Sequence, residues 1–153
     1  MNGDRLSRAL NTETKETVMP QFFVEAPIGI RDDAKQKMMK DLTAAIDDAY
    51  HIPDVRVWLR EYQADNVAQD GRLGAEAIRP VCFLEAPELS SLDAKRKMAE
   101  RILTAIGEAY DGIANTAETL ILMNHYPLEN AGFAGRLQSD DPQLVEAMKR
   151  LNR

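Results

Sequence analysis

The chain is written twice. PQFFVEAPIGIRDDAKQKMMKDLTAAIDDAY, from Pro20 to Tyr50, returns as PVCFLEAPELSSLDAKRKMAERILTAIGEAY, from Pro80 to Tyr110, with nearly half of the positions identical and no gap. A repeat of this kind is one supersecondary unit used a second time, so the two copies must fold alike and bury their apolar faces together. Beyond these segments the copies drift by a few residues. Glu61-Tyr62 still matches His125-Tyr126, Asn66 matches Asn130, and Gly71-Arg72-Leu73 matches Gly135-Arg136-Leu137. Both copies open on proline, but Met19 precedes Pro20 whereas Arg79 precedes Pro80. Only Pro20 is therefore positioned to become a chain end by loss of an initiator methionine.

Each copy reads as strand, helix, strand. Pro20–Ala26 is short, holds Phe22, Phe23 and Val24, and stops at Ala26-Pro27. A proline at the first position of a strand removes no ladder hydrogen bond. From about Asp32 to Tyr50, Met38, Leu42, Ala45, Ile46 and Ala49 recur at helical spacing, with Lys35, Lys37, Lys40, Asp41 and Asp47 mostly opposite, which predicts an amphipathic helix. His51-Ile52-Pro53-Asp54 should end it, because a proline keeps its predecessor out of the helical region. Val55–Tyr62 then alternates branched or aromatic residues with charges, as a strand does.

The second copy predicts a strand at Pro80–Ala86, a helix from about Leu92 to Tyr110 and a strand at Thr119–Tyr126. That last strand is nearly free of charge and reads as central in the sheet. Strands joined through a helix lie parallel. The expectation is an α+β fold: tandem β-α-β repeats forming a four-stranded sheet of mixed parallel and antiparallel strands, with two helices on one face. The other face needs cover, so a homo-oligomer is expected. Asp141-Pro142 followed by Leu144, Val145, Met148 and Leu151 predicts a short C-terminal helix over residues 139–153 that clasps a neighbour.

With 25 acidic against 19 basic residues the net charge is −6, which argues against nucleic acid, whose binding depends on neutralising phosphates. No apolar run is long enough for a bilayer, so no membrane partner is expected, and a cytoplasmic location fits. Cys82 is the only cysteine. It reads as a small buried hydrophobe, and with only His51 and His125 as histidines a metal centre is not expected. The repeated Glu25 and Glu85 at strand ends read as structural, and Arg72 and Arg136 after matching glycines as turn or subunit-contact residues. His125 and Asn124 stand where a loop begins and could reach a neighbouring pocket.

Residues 1–19 read as a disordered or mis-assigned extension. Residues 1–18 are polar, lack periodicity and stand outside the repeat. Lys15-Glu16 can be spelled AAGGAG, a bacterial ribosome-binding sequence, just upstream of Met19. Translation from Met19 followed by methionine removal would start the chain at Pro20. Residues 20–138 then form one domain of two units, 20–79 and 80–138.

An amino-terminal proline, a β-α-β unit near sixty residues, an arginine after the first strand, another opening the next strand and an Asn/Gly segment beyond resemble the tautomerase superfamily. The pattern is similar to 4-oxalocrotonate tautomerase in its fused, two-unit form, over Pro20 to about Gln138. The resemblance implies a tautomerase/MIF-like fold, a homotrimer and a cofactor-independent isomerase. Its substrate would be a small anionic 2-oxo or unsaturated acid, and Pro20 its catalytic base. The chemistry is sound, since an apolar pocket and nearby arginines both disfavour a protonated secondary amine and so bring its pKa toward neutrality. Arg56 and Arg31 are the implied carboxylate partners, because guanidinium grips carboxylate by two parallel hydrogen bonds. Arg31 lies one residue closer to the DAK triplet than the pattern wants. Arg60 shares a strand face with Arg56 and Trp58 and is a further substrate-binding candidate.

The fused relatives that dehalogenate cis-3-chloroacrylic acid carry two arginines after the first strand of the second unit and a water-activating glutamate near its end. Here that segment is Glu85-Ala86-Pro87-Glu88-Leu89-Ser90-Ser91, and the glutamate's place falls near Phe133. Hydrolytic dehalogenation loses support, and Phe133 becomes a candidate apolar pocket wall. Alternatives to the tautomerase are a non-catalytic oligomer that binds a metabolite or protein, and a hydratase or decarboxylase of the same superfamily.

Overall fold

The computed structural model describes residues 19–52 and 54–153. The expectations placed on residues 1–18, and the part given to Pro53 in ending the first helix, lie outside the described residues.

The first unit runs β1 (Gln21–Pro27), α1 (Asp32–Tyr50), β2 (Arg56–Tyr62) and a hairpin of β3 (Ala68–Gln69) and β4 (Arg72–Leu73). The second repeats it as β5 (Val81–Pro87), α2 (Leu92–Ala109), β6 (Leu120–Tyr126) and the hairpin β7 (Gly132–Phe133) and β8 (Arg136–Leu137), followed by α3 (Pro142–Leu151). Within each unit the long strands are parallel, β1 with β2 and β5 with β6. The units join antiparallel through β1 and β5, giving the sheet order β2-β1-β5-β6. At the centre of that joint Phe23 stands opposite Phe83. These are the same residue of the two copies, so a local two-fold axis passes between them.

Alternation along the strands sorts the side chains. Phe22, Val24, Ala26, Cys82, Leu84 and Ala86 are fully buried beneath α1 and α2, where Met38, Leu42 and Ile46 meet their repeat mates Met98, Ile102 and Ile106 in one core. Cys82 behaves as the apolar residue expected, its thiol pushed up to about 12 by burial. The helix ends obey local rules. His51 stops α1 in the left-handed region with φ 56°, its N–H donating to the Asp47 carbonyl at 2.7 Å. Ser91 accepts from the Ala94 N–H to cap α2. Asp141 caps α3 through the N–H groups of Gln143 and Leu144, with Pro142 at the first helical position, the arrangement in which proline loses nothing.

Two expectations need correction. β6 is an edge strand of the sheet, not a central one. Its freedom from charge reflects an open face on which Leu120 and Leu122 stand 51% and 40% exposed. That face is also less uniformly apolar than expected, since alternation brings Gln21, Glu25, Arg56 and Arg60 to it beside Phe23, Trp58, Val81 and Phe83. The C-terminal helix also has a hold on its own chain. The Asn152 side chain donates to the Glu88 carbonyl and accepts from the Ser90 N–H at 2.8 Å, tying α3 over the loop after β5.

Both hairpins turn on two residues with positive φ, Asp70-Gly71 (54° and 81°) and Ala134-Gly135 (52° and 81°). This is the two-residue turn that matches strand twist, and it suits Asp or Asn before Gly. Ala134 occupies a left-handed position that costs an L-residue about 1 kcal/mol. Ala134→Asn should therefore stabilise the fold by up to about 1 kcal/mol, read as a higher urea midpoint with an unchanged denaturant slope.

Candidate active site

The antiparallel joint decides which residues can meet. Because β1 and β5 run oppositely, the end of the sheet where β1 begins is also the end where β5 and β6 finish. Pro20 is buried at this end, and its carbonyl accepts from the Arg56 N–H at 3.1 Å. β2 starts there with Arg56, which pairs with Gln21. Glu85, Ala86 and Pro87 close β5 there, and Asn124, His125 and Tyr126 close β6 beside them.

Of Arg31, Arg56 and Arg60, the arginines expected to hold substrate, Arg56 is the one at this end with Pro20. Its guanidinium lies over the Trp58 ring, 5.7 Å from the centroid, and Trp58 in turn stacks on Phe23 and donates from Nε1 to the Gln21 Oε1 at 2.8 Å. Among the described residues no carboxylate is within ion-pair distance of Arg56. Arg31 stands past the far end of β1, about 20 Å from Pro20 at some 3.3 Å per strand residue. It is exposed and bound to Asp33 at 2.7 Å. Arg60 is bound to Glu25 at 2.9 Å, with its guanidinium 4.9 Å from the Phe23 ring centre. Phe133 is exposed on the hairpin that follows β6, lining with Arg136, Asp140 and Leu144 a groove of about 410 Å³ in whose walls Pro20 has no part. Arg72 and Arg136 are exposed on the hairpins β3–β4 and β7–β8.

The repeated glutamates have a clear place. Glu25 reaches Arg60 across β1 and β2, and Glu85 accepts from Asn124 Nδ2 at 2.8 Å across β5 and β6. Each holds the open face of its own unit together. A charge-assisted pair in one unit thus answers a neutral-donor pair in the other.

Sequence reasoning missed a network on the helix-covered side. Tyr50, fully buried at the end of α1, donates from Oη to the Pro87 carbonyl at 3.1 Å, and the His125 Nε2 lies 3.4 Å from the same oxygen. The signal was present in the repeat. Tyr50 recurs as Tyr110, while the residue paired with the EAP alanine changes from Glu61 to His125. Glu61 forms an ion pair with Lys35 at 3.3 Å. In the second unit the equivalent Lys95 faces an imidazole instead. The Tyr110 hydroxyl is buried with no hydrogen-bond partner among the described residues, whereas Tyr50 is satisfied, so the two ends of the molecule are chemically unlike.

Burial, reinforced by Lys95 and opposed by Glu88, holds the His125 pKa below 6.5. The unfolded chain then binds more protons than the native one between that lowered pKa and the ordinary imidazole value, so stability falls as pH drops through this window. Below both values the difference no longer changes. The unfolding free energy of the parent should therefore fall more between pH 7.5 and pH 5.5 than that of His125→Gln, a comparison to be made by urea denaturation at both pH values.

No protein-family model matches the chain, and no curated protein sequence matches it. Solved structures do. Native fused 4-OT superposes with a TM-score of 0.69 at 24% identity, covering 78% of this chain and 96% of that one. A fused 4-OT asymmetric trimer gives 0.68 at 21%, with 78% and 96% covered. Macrophage migration inhibitory factor of Toxoplasma gondii gives 0.58 at 14%, with 76% and 98% covered. The chain has the fold of the fused, two-unit tautomerases and of the wider MIF-like group.

Proposed function

We propose that this protein is a cofactor-independent tautomerase of the 4-oxalocrotonate tautomerase type, acting on a small enol or 2-oxo acid with Pro20 as general acid and base. The domain comprises residues 20–138, residues 1–19 are absent from the active form, and residues 139–153 are an appended helix. One observation carries the reading. The chain with this fold has a buried proline at the head of β1, on the same sheet end as a guanidinium, Arg56, that no carboxylate among the described residues engages. Met19 lends support, with a φ of 48°, a left-handed conformation disfavoured for a non-glycine residue ahead of proline. Cleavage after Met19 relieves that strain and turns an amide nitrogen without a basic lone pair into a secondary amine. Burial then disfavours its ammonium form, and Arg56 disfavours it further. The amine becomes a base suited to neutral pH.

In this reading Arg56 grips the substrate carboxylate, and Phe133, whose groove in this chain excludes Pro20, contributes an apolar wall to the proline of a second copy. Arg60 is a reserve contact once released from Glu25. Arg31 reaches a proline only from a second copy. A homotrimer supplies such copies and covers Phe83, Leu120 and Leu122 together with the uncharged edge of β6, an edge of the sort that recruits further strands. The rival reading, a non-catalytic oligomer, is favoured only if Met19 remains attached, as its peptide bond to Pro20 removes the base.

The test compares chains beginning at Met1 and at Pro20. The Pro20 form should turn over phenylenolpyruvate or 2-hydroxymuconate and the Met1 form should not. Within the Pro20 form, Pro20→Ala should lower kcat by at least about a hundredfold, and Arg56→Ala should raise KM by about 10- to 100-fold through loss of a charged hydrogen-bond pair. Equal turnover by the two chain forms would mean a mechanism without a free Pro20 amine, and no turnover by either would favour the non-catalytic reading. Separately, Leu122→Asp on the open sheet face should convert the assembly to monomers in sedimentation velocity.

A further inference from the structure

The register of the sheet brings a second titratable group into line with Pro20. Gln21 pairs with Glu85, and Ala86 pairs with His125. Continuing the β1–β5 register by one residue sets Pro20 opposite Ala86. Pro20, Ala86 and His125 then form a single row across three strands on the helix-covered side. Ala86, fully buried, stands between the proline and the imidazole in this row. Two strand spacings make the Cα separation about 10 Å. The matching row at the other end is Pro80, Ala26 and Glu61, so the histidine belongs to the Pro20 end alone.

Tyr50 fixes which nitrogen of His125 is available. The tyrosine has one proton, and its shorter contact, 3.1 Å to the Pro87 carbonyl, takes it. The oxygen can then only accept from His125, so the proton of the neutral imidazole resides on Nε2, at 3.4 Å. A ring nitrogen's protonation is set by the bond the other nitrogen makes, and Nδ1 is left with its lone pair. The groups facing the ring are Tyr50 from α1, Lys95 from α2 and Glu88 from the loop after β5. Lys95 and burial keep it neutral against Glu88.

We infer that His125, held in its Nε2–H tautomer by Tyr50, is a second proton-transfer residue of the Pro20 site, acting on the substrate oxygen while Pro20 acts on carbon. This rests on the proposed tautomerase reading. From enol to ketone, the substrate O–H bond breaks and its proton passes to Nδ1. The oxygen's electron pair forms C=O, and the C=C pair takes the proton held by the Pro20 ammonium to make the new C–H bond. Pro20 is left as the amine and His125 as imidazolium, and water returns the proton from one to the other.

The experiment uses the chain starting at Pro20, with phenylenolpyruvate as probe. Its kcat/KM should fall on the acid side as His125 protonates. His125→Gln should lower kcat about a hundredfold, change KM by less than threefold, and abolish that acid limb. Nitrogen-15 spectra of the unmutated protein should show a neutral imidazole protonated at Nε2, and Tyr50→Phe should make the two tautomers mix. A glutamine variant within twofold of the parent and with the parent's acid limb overturns the proposal, as does an Nδ1–H tautomer, a measurement that needs no variant to fold. Pro20→Ala separates the two ideas. If it retains full rate, the proline reading fails, and if it is inactive while His125→Gln is unaffected, only the histidine assignment fails.

Discussion

The antiparallel joint between β1 and β5 is the contact from which the rest of the molecule follows. A β-α-β unit has two parallel strands and one helix, too little to enclose a core. Placing Phe23 against Phe83 across a local two-fold axis makes one four-stranded sheet from two such units. It also sets α1 and α2 side by side, so that Met38, Leu42 and Ile46 share one interior with Met98, Ile102 and Ile106. The ion pairs between the helices, from Lys37 to Glu108 and from Arg101 to Asp48, are exposed and worth little singly. Hydrophobic burial does the holding.

The same joint produces two sheet ends that are alike in backbone and unlike in chemistry. At one, Pro20 meets Arg56, Asn124 and His125. At the other, Pro80 meets Leu120, Arg60 and Glu61. The fully buried Tyr110 hydroxyl at the second end has no hydrogen-bond partner among the described residues, a loss of about 1–3 kcal/mol for such a group. Its mate Tyr50 is fully engaged. The two copies share one frame, and the differences between them make the Pro20 end the candidate for proton transfer.

Much of the fold was legible because the repeat and its periodicities are local. The bounds of the four long strands and of α1 and α2 fall within a residue of those expected, and Asp141-Pro142 announced its helix through a cap that acts over three residues. The misreading of β6 is instructive. Lack of charge signals burial, and within one chain burial of a strand means a central place. Leu120 and Leu122 are instead left on an open face of an edge strand, a placement that the strand's own pattern does not distinguish from burial. The short hairpins went unread because strands of two residues have no period, although Asp70-Gly71 was a turn signal in plain view.

By itself the sequence determined the duplication, the helix and strand periods, the caps and turns, and the unusual setting of Pro20 behind a methionine. These depend on neighbours a few residues apart, whose interactions are written in order along the chain. Only the tertiary structure decided that the two units run oppositely, that Arg56 shares an end with Pro20 while Arg31 does not, and that His125 falls in the proline's row with Tyr50 behind it. Register between distant strands is chosen by how the two apolar faces fit under one pair of helices, and a shift of one residue would have turned every side chain to the other face.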